Sequence, residues 1–158
     1  MADVIGRSTQ HHFADCEAAS NSSNVISLSN YRSSAGNISQ LTYPCPGINS
    51  STYTTHQTSA QTFRYICGIN YHSGDYGDNG YPIDNLGAMV AYSVEDCVEA
   101  CSLFNEYNAS GEQSCMAVTF GAQLDYFYKT YHANCFLKNA TGSTSDNKAR
   151  LYISARLM

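Results

Sequence analysis

Cations are scarce in this chain, with eight lysines and arginines against thirteen acids and a net charge of −5. Nucleic acid and anionic membrane surfaces are bound by clustered cations, so the sequence excludes both as partners. Charge of either sign reaches only 13% of the 158 residues, roughly half the usual share of about 25%. Ser, Thr, Asn and Tyr must therefore supply most of the polar exterior. No run of about 18 apolar residues occurs, which excludes a membrane-spanning helix. Residues 1–10 also lack the apolar core of a signal peptide. Given the signs of export below, the expectation is a leader already removed. The length fits one domain preceded by an arm.

Cysteine, by contrast, is abundant. Seven are present: Cys16, Cys45, Cys67, Cys97, Cys101, Cys115 and Cys135. In a small, weakly charged domain this density points to an oxidising compartment, where covalent ties supplement a limited core. Asn-X-Ser/Thr triplets at Asn21, Asn37, Asn49, Asn108 and Asn139 agree with secretion and mark candidate glycosylation sites.

Residues 1–43 have the Ser- and Asn-rich composition of an N-terminal arm, and residues 44–158 the composition of a folded domain. Within the arm, Val25, Ile26 and Leu28 form one short apolar patch with the alternation of a half-buried strand. Two readings stay open: a strand that finds a sheet edge in its own or a neighbouring domain, or a disordered, glycosylated leader. Residues 49–61 read as a Ser/Thr-rich loop, 62–67 as a strand, and 70–86 as a loop punctuated by Gly, Asp, Asn and Pro82. A helix is predicted from Ser93, a good N-cap, with Glu95 and Asp96 favourably placed at the positive end of its dipole. Val94, Cys97, Val98, Cys101 and Phe104 form its apolar stripe, and it fades over 107–111. Strands are predicted at 115–120, 126–131, 135–138 and 150–154. One helix on a mostly antiparallel sheet defines an α+β domain.

Cys97 and Cys101 lie one turn apart on the buried face, so each needs a partner from the sheet; the downstream candidates are Cys115 and Cys135. The segments Asp96-Cys97-Val98-Glu99-Ala100-Cys101, Cys115-Met116-Ala117-Val118-Thr119-Phe120 and Asn134-Cys135-Phe136-Leu137-Lys138 resemble a PAN/apple domain. The variant is similar to that of secreted ascomycete fungal proteins. Upstream, Cys45-Pro46-Gly47 and Phe63-Arg64-Tyr65-Ile66-Cys67-Gly68 resemble the hairpin before the helix in that family. The resemblance implies the pairs Cys97–Cys135 and Cys101–Cys115, and Cys45–Cys67 then follows; spacing alone leaves the connectivity open. Cys16 is left over, unpaired or bridged to another subunit. Zinc at Cys97-x-x-x-Cys101 is disfavoured because no His lies beside it.

No catalytic signature surrounds any of the five histidines, and no enzyme, metal or cofactor is expected. Asp75, Asp78, Asn79 and Asp84 share a Gly-rich loop without EF-hand spacing and read as turn formers rather than calcium ligands. Tyrosine replaces the missing Trp, thirteen in all, clustered at Tyr71, Tyr76 and Tyr81 and at Tyr126, Tyr128 and Tyr131. A flat apolar ring with a polar tip suits sugars and protein interfaces. These tyrosines, with Asp75 and Asp78, are the candidate ligand residues. The expected function is a secreted module binding protein or glycan. Its alternatives are a filament subunit that donates the Val25–Leu28 strand to another copy, and a small hydrolase.

Overall fold

The computed structural model describes residues 35–108, 111, 113–142, 145–146 and 151–158. Cys16, Asn21 and the Val25, Ile26 and Leu28 patch lie outside the described residues. The elements run β1 (Thr52–Thr54), β2 (Thr62–Cys67), β3 (Ile69–Asn70), β4 (Asn85–Met89), α1 (Val94–Tyr107), β5 (Ala117–Gly121), α2 (Leu124–Tyr131), β6 (Cys135–Lys138), β7 (Ser145–Asp146) and β8 (Tyr152–Leu157). Six strands form an antiparallel sheet in the order β1-β2-β8-β5-β6-β4, and β3 pairs separately with β7. The architecture is α+β.

Helix α1 starts where the sequence places its cap. Ser93 Oγ accepts from Asp96 N, and Asp96 Oδ2 accepts from Ser93 N, each at 3.1 Å. This reciprocal pair satisfies two otherwise free donors of the first turn. Val94, Cys97, Val98 and Cys101 are buried against Phe63 and Tyr65 of β2, Val118 and Phe120 of β5, Leu137 of β6, and Ile153 and Ala155 of β8. Successive strand residues point to opposite faces, so the alternate positions of these strands belong to the far side of the sheet.

Three disulfides tie the fold. Cys97–Cys135 joins α1 to β6, Cys101–Cys115 joins α1 to the approach of β5, and Cys45–Cys67 closes the segment that leads into β1 and β2. Such bonds fit an extracellular or otherwise oxidising compartment. None of the helices among the described residues is long and apolar enough to cross a membrane.

The far face carries a second layer. Tyr71, Ile83, Ala117 and Ala140 form a smaller core under the loop between β3 and β4. That loop is held by Gly74 N donating to Ile83 O, Ile83 N to Asp75 O and Asp78 N to Thr141 O, all within 2.8 Å. Here 126–131 is helical, which corrects the predicted strand. Aromatic content favours a strand, but Leu124, Phe127 and Tyr131 stand three and four residues apart and bring one helical stripe to the sheet. Phe127 packs into the space above Gly121, where a Cβ would fall 2.1 Å from its ring.

Residues 35–43 also pack on this unit. Ala35 is buried in a short 3-10 helix, Leu41 N donates to Ala122 O, and Tyr43 Oη reaches Tyr152 O at 3.4 Å.

Candidate binding site

Alternation along β6 creates the site. Cys135 and Leu137 face α1, so Phe136 and Lys138 must face the second layer. Lys138 is only 3% exposed. Its side chain lies in a cavity of about 250 Å³ between the β3–β4 loop and α2. Phe136 and Tyr152 share the floor with it, Phe127 and Tyr131 come from α2, and Asn70, His72, Ser73 and Asn85 come from the loop side.

Lys138 Nζ donates to Ser73 Oγ at 3.2 Å and stands 5.9 Å from the centre of the Phe136 ring. An ammonium has three donors. Among the described residues this is its one hydrogen bond, and Lys138 forms no ion pair. Burial pulls its pKa down from 10.5 to about 8, against the upward pull of Asp84 and Asp75. A buried cation without a contacting carboxylate is unfavourable unless an anion completes it. Beside it, Asn70 Nδ2 lies 3.1 Å from His72 Nε2, and Asn85 adds a second amide.

The residues singled out by sequence fall in several places. Tyr71 is 2% exposed in the second core, its backbone N donating to Thr119 Oγ1, so it presents no surface to a ligand. Tyr76 and Tyr81 are 75% and 71% exposed on the loop tip. Tyr81 lines a groove with Asn79, Pro82, Asp84, Met116 and Asn139, whereas Tyr131 lines the Lys138 cavity. Tyr126 packs edge-on against Phe127 and Tyr131, and Tyr128 packs against His132.

Asp75 is exposed, and Asp78 Oδ2 accepts from Thr141 Oγ1 at 2.9 Å. Of the sequon asparagines, Asn37 and Asn49 are exposed and Asn108 and Asn139 half-buried. Asn49 Oδ1 accepts from Cys67 N and Asn139 Oδ1 from Asp84 N, while Asn108 Nδ2 donates to Gln113 O.

Lys138, Asn70, His72 and Ser73 were not legible as a group in the sequence. The available signal was a lysine one residue past an inward Leu on a strand, in a chain with so few cations.

A second polar cluster joins β1 to α1. Glu99 Oε1 accepts from Tyr53 Oη and pairs with His56 Nδ1, both at 2.7 Å. Burial pushes the Glu99 carboxyl up, but the hydrogen bonds from Tyr53, His56 and Gln57 outweigh it and hold its pKa below the ordinary value. This cluster fastens the edge strand to the helix.

No protein-family model, curated protein or solved structure matches this chain.

Proposed function

We propose that this chain is a non-enzymatic, extracellular recognition module of PAN/apple type that binds protein or glycan through the cavity over Lys138. The observation that carries this reading is the buried ammonium with one hydrogen bond, set among aromatic rings and amides. Concave sites with apolar walls and a few convergent polar groups are where small ligands and single side chains dock. The three disulfides support an extracellular setting, and the Asn-X-Ser/Thr triplets support glycosylation there.

Binding to an array of glycans and peptides tests it. Ligands retained by the native protein should be lost by Lys138→Met and kept by Tyr107→Ser, which alters an exposed ring on α1 outside the cavity. Retention by Lys138→Met refutes the site.

A second reading, assembly by strand donation from residues 1–43, draws on the end of the sheet. Strand β4 is last in the order, and its outer edge pairs with no other strand among the described residues. Deleting residues 1–34 and measuring the assembly state of the secreted protein tests this; unchanged assembly removes it.

A further inference from the structure

Resting on the cavity reading above, we infer that the cavity over Lys138 accepts a single hexuronic acid residue, its carboxylate on Lys138 Nζ and its ring against Tyr131 and Phe136. Three observations lead there.

The first is charge. Lys138 is the one lysine or arginine lining the cavity, and two of its three donors are unused among the described residues. One buried ammonium matches one carboxylate, whose paired oxygens accept those two donors at charge-assisted distance. A phosphate monoester brings about two charges and three acceptor oxygens. Such a group calls for further cations, and the lining has none beyond the imidazole of His72 on the exposed rim.

The second is size. At about 250 Å³ the cavity falls below the range of about 300–1,000 Å³ typical of drug-sized sites. It has room for one ring and not for an extended chain. One uronic acid ring is therefore held at a time.

The third is the wall chemistry. Tyr131, half-exposed on α2, and Phe136 on β6 give apolar faces for the C–H face of a pyranose. Asn70 and Asn85 carry amides that both donate and accept, as ring hydroxyls require. A Glu or Asp side chain of a protein would use Lys138 but brings no hydroxyls to these amides. The combination favours an acidic sugar over an acidic peptide.

The test uses the full-length, disulfide-intact protein and calorimetric or NMR titration with glucuronic acid, galacturonic acid, glucose, glucose 6-sulfate and an N-acetylated glutamate amide. One or both uronic acids should bind about tenfold or more tightly than glucose, the difference expected of a charged hydrogen bond. Lys138→Met should remove that preference. If that variant does not fold, the comparison of uronic acids with glucose on the native protein still tests the carboxylate. Tyr131→Ala, which changes a half-exposed ring, tests the wall: it should weaken uronic acid and glucose alike.

Glucose binding as tightly as the uronic acids, and lost with Tyr131→Ala, overturns the carboxylate inference while leaving the cavity as the site. A preference for glucose 6-sulfate or for the glutamate amide overturns it in favour of a sulfated sugar or a protein partner. If no probe shifts any resonance of the cavity residues, the inference and the cavity reading fall together.

Discussion

Replacing Lys138 by Met should stabilise this protein. Burial holds the folded-state pKa at about 8 against an ordinary 10.5. At about 1.4 kcal/mol per pH unit, keeping the ammonium charged in the folded state costs about 3 kcal/mol at neutral pH. The sign follows from proton counts. Below about pH 8 both states hold the proton and the whole penalty is present. Between about 8 and 10.5 the unfolded chain binds more protons than the folded one, so wild-type stability climbs with pH and the penalty fades. Methionine keeps the unbranched stem against Phe136 and removes the charge. Ser73 loses a donor but is exposed, and water replaces it. In guanidinium chloride, with disulfides intact and a slope of about 3 kcal/mol/M, the Met midpoint should lie up to about 1 M above wild type at pH 7. By about pH 9.5 the gap should fall to roughly half or less. His72, Tyr131 and Tyr152 line the cavity and the charges of Asp75 and Asp84 act on it in both proteins, so the difference isolates Lys138. A Met variant that is less stable at both pH values, or a gap that does not narrow, refutes the reasoning. A stabilised variant that no longer binds would mark Lys138 as a residue retained for function at the expense of the fold.

Gly121→Ala places a Cβ 2.1 Å from the Phe127 ring, which is itself fully buried. Overpacking there should cost about 1–3 kcal/mol, read as a lowered melting temperature, and disturb the α2 wall of the cavity. Asn134→Ala removes one bond from Ala91 N and two to Ala91 O and Gly121 O, leaving buried backbone groups unpaired. Its expected cost is about 2–4 kcal/mol, and a loss under about 1 kcal/mol would deny Asn134 its bridging role. Glu99 has its pKa lowered by folding, so it stabilises above its unfolded value and that contribution is lost as pH falls through the folded one. Glu99→Gln should therefore flatten the acid limb of the stability–pH curve, and an unchanged limb would show that the Tyr53–His56–Glu99 cluster carries no such linkage.

Helix α1 and strand β2 were readable because their signals are local. Ser93 caps, the apolar stripe runs at helical spacing, and Phe63 and Tyr65 alternate with outward residues. Helix α2 was not, because eight residues rich in aromatics satisfy strand composition while only their spacing reveals the helix. Strand β1 lay in a Ser/Thr-rich stretch, and β4 (Asn-Leu-Gly-Ala-Met) has no β-branched residue; both are edge strands that owe their form to a neighbour. Strand β8 begins at Tyr152 and extends to Leu157, later than composition suggested, because its register is set by β5 and β2. The Lys138 cavity was illegible for a related reason. Its lining comes from β3, the following loop, β4, α2, β6 and β8, and no sequence window contains more than a fragment of it.

Whether Lys138 is a buried, under-paired ammonium can be read from its 13Cε resonance, assigned by its loss in Lys138→Met and followed from about pH 6 to about pH 11. The midpoint should lie at about 8 in the free protein and rise when a uronic acid saturates the cavity. A midpoint near 10.5 without ligand would contradict the burial of the charge, and with it the site.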